Sequence, residues 1–157
     1  MRNQKGFSLI ELLLVVAVIL IVSAIAVPSF LRSRMRANEA NAVASIRVIH
    51  TAAVTYSVTY SNVGYPVLLT NLGGANPCTA TPTSACLLDD VLANGVKDGY
   101  SYVWTGDGVV PSVGFTLTGT PQVVGTTGQR MFCTDQTGLI YYDPSGAGCT
   151  NASPPIE

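Results

Sequence analysis

Three observations on the 157-residue chain predict an α+β architecture, in which a long N-terminal helix packs on a small antiparallel sheet of three or four strands. An apolar run from Phe7 to Phe30 opens the chain. The stretch after it carries apolar residues spaced to share one helix face. The C-terminal third holds short β-branched and aromatic runs separated by Gly, Pro and Asp.

The apolar run covers 24 residues and is interrupted by Glu11, Ser23, Pro28 and Ser29, against the roughly 20 that a helix needs to cross a bilayer core. It is long enough to span. Ahead of it, residues 1–6 carry Arg2 and Lys5, a basic leader that by the positive-inside bias places the N-terminus in the cytoplasm. Sixteen uncharged residues, Leu12 to Val27, follow Glu11. A carboxylate at the edge of such a segment is costly in lipid, so it marks a function and calls for a positive partner buried with it. Its place in the first turn also suits the helix dipole. The alternative is an ordinary secretory signal, because Ala24-Ile25-Ala26 satisfies the small-x-small cleavage rule. Against it, Glu11 would interrupt the hydrophobic region, and the stretch from Phe7 to Ser23 exceeds the usual length of roughly 7 to 15 residues.

Lys5-Gly6-Phe7-Ser8-Leu9-Ile10-Glu11-Leu12, with the short basic leader and with Pro28 deep in the apolar helix, resembles the class III signal of type IV pilins and the pseudopilins of type II secretion. The likeness covers about residues 1–60, with a looser one over Gln129–Ile140, which is similar to the late strands of many pilins. It implies a pilin-like fold, cleavage after Gly6 by a prepilin peptidase and N-methylation of the new amine of Phe7. It also implies storage in the inner membrane, then assembly by an inner-membrane platform into a helical homo-oligomeric filament. In such a filament Glu11 neutralises the Phe7 amine of a neighbouring subunit, and the two charges set the register of otherwise featureless apolar helices. Related filaments loosen the helix ahead of the proline, often with a glycine there. This chain has no glycine between Phe7 and Phe30.

The segments expected in order are a removable leader over 1–6, a membrane and filament-core helix over 7–30 and its amphipathic continuation over 31–60. A connecting loop over 61–98 and a sheet with a disulfide loop over 99–157 complete the chain. Pro28 removes a donor and clashes one turn back, which should bend or locally open the helix. Beyond it, Ala42, Ile46, Ile49, Ala53, Tyr56 and Tyr60 recur at alternating spacings of 4 and 3, marking one buried face, with Glu39, Ser45 and Arg47 placed opposite. At 1.5 Å per residue a helix from Phe7 to Tyr60 measures roughly 80 Å, so its second half must lie on a domain. Arg32, Arg34 and Arg36 sit just past the apolar run and outnumber the leader's charges three to two, which leaves orientation unsettled by charge alone. They suit snorkelling, or pairing between subunits with an acidic loop such as Asp89-Asp90.

Between Ser61 and Asp98 the composition turns to Gly, Pro, Asn and Thr, a long loop with one short helix near Ala85–Ala93. Strands are expected over Gly99–Thr105, Val113–Gly119, Gln129–Thr134 and Gly138–Tyr142. Their apolar face includes Tyr102, Phe115, Leu117, Phe132 and Ile140, and Asp135–Gly138 turns the last hairpin. Four cysteines allow three pairings. The spacings of Cys78, Cys86, Cys133 and Cys149 lack the short pairs of a zinc site. Disulfides within an oxidising space fit better, and the local pairs Cys78–Cys86 and Cys133–Cys149 would each staple a turn-rich loop. Closing the second, roughly 17-residue loop adds about 3 kcal/mol in the chain-entropy model. In many pilins the corresponding bridge frames a loop used for subunit contacts or adhesion.

With 48% hydrophobic and 11% charged residues, the chain has room for one membrane segment and one small domain. Removal of Arg2 and Lys5 leaves 6 basic against 9 acidic side chains, a weak balance that makes no case for nucleic-acid binding. No enzyme is expected. The single histidine, His50, lies in no catalytic motif, and neither a phosphate-binding loop nor a nucleophile elbow is present. Asp89, Asp90, Asp98 and Asp107 match no EF-hand spacing, so neither metal nor cofactor is expected. Asn151-Ala152-Ser153 is a glycosylation acceptor pattern of low specificity. A filament subunit exposed outside the cell is therefore the first reading. Its alternatives are a periplasmic pseudopilin and a membrane-anchored binding domain that never polymerises.

Overall fold

The computed structural model describes residues 7–156. It divides into two compact units, Met1–Arg34 and Met35–Glu157. Helix α1 covers Leu9–Thr59 and continues through Pro28, so the proline's missing donor does not end it.

In the second unit the helix buries one stripe. Ala42, Ile46, Ile49, Ala53 and Tyr56 are fully buried, and Tyr60 packs beside them. Continuing the alternation of 3 and 4 one step towards the N-terminus lands on Glu39, and Ser45 lies one turn from both Ala42 and Ile49. Both are buried rather than on the opposite face, whereas Arg47 is exposed. The sequence expectation for Glu39 and Ser45 is thus corrected: helical phase, not polarity, decides the side.

That stripe packs on a five-stranded antiparallel meander in the order β1 (Val96–Lys97), β2 (Tyr100–Gly106), β3 (Phe115–Pro121), β4 (Met131–Asp135) and β5 (Ile140–Asp143). Tyr102, Phe115, Leu117, Phe132 and Ile140 all face the core. The sheet has one strand more than expected. The extra strand, β1, is two residues long and therefore shows no alternation. Asp98-Gly99, with φ of 51° and 77°, joins it to β2 in the left-handed geometry that favours Asp-Gly in two-residue hairpins. At the other hairpin, Gly138 N–H closes the turn on the Asp135 carbonyl at 3.1 Å, and the Asp135 carboxylate accepts from Thr137 N–H at 2.8 Å. Gly119 is bare because the tip of Ile46 and the Tyr102 ring occupy the space a side chain would need.

The segment from 61 to 98 is docked rather than loose. It contains a 3₁₀ turn, Leu69–Leu72, and one helical turn α2, Asp90–Ala93, capped by the Asp89 carboxylate accepting from Leu92 N–H. Leu69, Leu72, Leu88 and Leu92 sink into the core. Trp104 stacks on Phe115 with ring centres 4.1 Å apart and donates its indole N–H to the Pro66 carbonyl at 2.8 Å, which ties the segment to the sheet.

Candidate functional site

The apolar half of α1 is the candidate site. From Phe7 to Leu31 every side chain is exposed within the chain, Phe7 by 73% and Ile25 by 74%. An exposed apolar surface this continuous marks a membrane or protein interaction site. The helix is long and apolar enough, by length and composition, to cross a membrane. Ser8 immediately precedes α1, and its carbonyl accepts from the N–H groups of Glu11 and Leu12 at 3.1 and 3.2 Å. Glu11 thereby stands in the first turn, exposed, four residues after Phe7.

Among the described residues the ion pairs are Lys97–Asp89 and Arg130–Glu39, and Glu11 takes part in neither. Gly6, with the rest of the leader, lies outside the described residues. The structure therefore places Glu11 and Pro28 on α1, with Phe7 two residues ahead of its start. Asp89 is already held by Lys97 at 2.8 Å and by its capping role, which weakens it as a partner for the Arg32, Arg34 and Arg36 group.

The cysteines meet as two local bridges. Cys78 pairs with Cys86 and Cys133 with Cys149, with Cα atoms 6.0 and 5.7 Å apart. The second bridge ties the chain's end to the outer face of β4. Within its loop the Asp143 carboxylate accepts from the Ser145 hydroxyl, from Gly148 N–H at 3.0 Å and from Ala147 N–H at 2.9 Å, which holds its carboxyl well below the usual carboxylate range. At the far end of the sheet, the Asp107 carboxyl is lowered from its ordinary value, first by Val113 N–H at 2.8 Å. These carboxylates are occupied as loop staples.

The residue that sequence reasoning missed is Glu39. Its carboxylate accepts from Gln129 N–H at 2.9 Å, from Arg130 N–H at 3.2 Å and from Arg130 Nε at 2.8 Å, while the second guanidinium nitrogen lies 2.8 Å away. Burial alone would push this carboxyl up. The two backbone donors and the guanidinium outweigh it and bring it below its ordinary value. Asn38 donates to the Thr127 carbonyl at 2.9 Å, so two adjacent helix residues fix the loop after β3. Tyr100 passes beneath that loop and donates to the Arg130 carbonyl at 2.8 Å. Its hydroxyl lies against Gly128, where no side chain would fit.

Among the described residues there is no catalytic constellation, and His50 packs near Phe115 with ring centres 5.9 Å apart. What the chain offers instead is an exposed apolar rod carrying one carboxylate, and a rigid, doubly bridged sheet domain.

Comparison with known proteins bears on part of the chain, 54 residues at most among the relatives given below. Residues 1–27 match the family model for the prokaryotic N-terminal methylation motif. The chain is 56% identical over 39 residues to the type IV wide pilus major component of Thermus thermophilus, covering 25% of this chain and 30% of that one. It is 38% identical over 54 residues to the type IV major pilin protein of Myxococcus xanthus, covering 34% and 24% of the two chains. Against a fimbrial protein of Pseudomonas aeruginosa the figures are 45% over 53 residues, covering 34% of each. The chain thus spans at most about a third of the length of these curated relatives. No solved structure matches.

Proposed function

We propose that this chain, whose N-terminal segment is similar to that of type IV pilins, belongs to that family and is a structural subunit of a pilus filament and not an enzyme. One observation carries the reading: the exposed apolar half of α1, whose single carboxylate, Glu11, stands four residues after Phe7 within a methylation motif. In the proposed sequence of events the precursor sits in the inner membrane through residues 7–30. A prepilin peptidase removes residues 1–6 by cutting between Gly6 and Phe7, and the Phe7 amine is methylated. The assembly platform then draws the subunit into a helical bundle of its own copies.

Bundling puts the Phe7 amine in an apolar interior, where an unpaired charge is strongly destabilising and a paired one is tolerable. Glu11 of the neighbouring copy supplies the pair. Pro28 is where the helix can yield during packing, because its carbonyl partner one turn earlier lacks a donor. The four cysteines in two bridges, and a surface rich in Thr, Ser and Gly, suit a domain that persists outside the cell.

Immunogold labelling of unpermeabilised cells, with a strain lacking the secretion system as control, is expected to decorate surface filaments in both strains. Labelling confined to the periplasm and dependent on the secretion system would favour a pseudopilus instead.

A further inference from the structure

We infer that Arg32, Arg34 and Arg36 form a collar around α1 that binds phospholipids of net negative charge in the leaflet at the C-terminal end of the apolar run. The inference rests on the membrane-spanning precursor of the reading above. All three arginines are exposed, and the ion pairs among the described residues do not include them. No acidic residue stands between Glu11 and Glu39, and the Glu39 carboxylate, three positions past Arg36, is already held by Arg130. Asp89 is likewise held by Lys97. The three guanidinium groups therefore look outside the chain for an anion.

Their position along the helix matches the edge of a bilayer. From Leu9 to Leu31 α1 measures roughly 35 Å, which fills a hydrocarbon core of about 30 Å once the helix tilts. Arg32 is the next residue. From Arg32 to Arg36 the axis rises about 6 Å, the depth of one headgroup layer, about 5–7 Å.

Their spread around the helix selects a surrounding layer over a single protein face. At roughly 100° per residue, Arg34 stands about 160° from Arg32 and Arg36 about 40° from it, so cations leave opposite sides of the helix. One protein surface reaches one side, whereas headgroups meet the helix all round. A guanidinium grips phosphate oxygens bidentately, and a net negative leaflet attracts basic side chains beside a span. A zwitterionic headgroup places its own cation next to the phosphate and competes with the arginine. Three positive charges at this end also run against the positive-inside bias that places Arg2 and Lys5 in the cytoplasm. An anionic leaflet offsets that opposition.

For the test, the full chain is reconstituted into vesicles of phosphatidylcholine mixed with phosphatidylglycerol, then released for native mass spectrometry of its bound lipids. Relative to its share of the vesicle, phosphatidylglycerol should be enriched on the chain about fivefold or more. Arg2→Gln/Lys5→Gln, which neutralises the leader, should keep that enrichment. Arg32→Gln/Arg34→Gln/Arg36→Gln should lose it while thermal unfolding stays as in wild type, because the three side chains are exposed. Wild-type chain that binds the two lipids in proportion to their supply would overturn the inference. Enrichment that survives in the triple variant, or that disappears with the leader charges alone, would also overturn it. Wild-type chain that stays out of the vesicles would instead remove the membrane-spanning reading itself.

Discussion

Glu11→Ala is expected to leave the protein in the membrane fraction and to lower the yield of sheared filaments at least tenfold. Removing one partner of a buried ion pair costs about 3–5 kcal/mol, because the other charge stays in place without compensation. Here the orphan would be the Phe7 amine of each neighbouring subunit. The apolar run that holds the chain in the bilayer does not depend on this one carboxylate, since the sixteen residues after it carry no charge. Comparison of membrane fractions with sheared material separates insertion from assembly. Normal filament yield would remove Glu11 as the register key. Glu11→Gln, which keeps shape and loses charge, should resemble alanine if charge is what matters.

The second large effect is expected at Glu39. Its carboxylate serves two backbone donors and a guanidinium at once, and the residue is only 6% exposed. Glu39→Ala should destabilise the sheet domain by about 2–4 kcal/mol, through buried donors left unsatisfied and a lost charge-assisted pair. Arg130 is itself partly exposed and can turn to water, which keeps the expected cost below that of a fully buried pair.

The pH dependence has a definite sign. A carboxyl that titrates below its ordinary 4.5 in the folded chain contributes stability that is complete above that value and is lost as pH falls through the lower, folded one. Thermal unfolding of the detergent-solubilised chain should therefore show a gap between wild type and Glu39→Gln that is wide at pH 7 and narrower in acid, below the ordinary carboxyl value. An equal gap at both would mean that packing, not ionisation, is what Glu39 provides.

Most of the architecture was legible because its signals are local. Length and apolarity identify the first half of α1. The alternation of 3 and 4 identifies the buried stripe from Ala42 to Tyr60, and β-branched and aromatic runs bounded by Gly, Pro and Asp identify β2 to β5. Glu39 shows where such reading goes astray: its phase points inward while its charge suggests water, and the partner that reconciles them, Arg130, lies 91 residues away. Gly99, expected to open a strand, instead turns with Asp98 between β1 and β2, and β1 is too short to register as a strand.

The docking of residues 61–98 was not legible. It depends on Trp104 reaching Pro66 across 38 positions and on loop carbonyls meeting N–H groups of Ala85 to Leu88, contacts that leave no periodic trace. The apolar rod presents the opposite case. It is obvious in sequence, yet a single chain leaves it without partners, so its role follows from what such a surface must do next.

The central claim is that this chain is processed at Gly6–Phe7 and built into filaments, and the most direct test is the mass of the subunit inside them. Filaments sheared from intact cells and analysed by intact-mass and N-terminal peptide spectrometry should contain this chain beginning at Phe7 and bearing an N-methyl group. A subunit beginning at Val27, as an ordinary signal peptidase would leave it, or a chain found only in membranes with residues 1–6 still attached, would contradict the account.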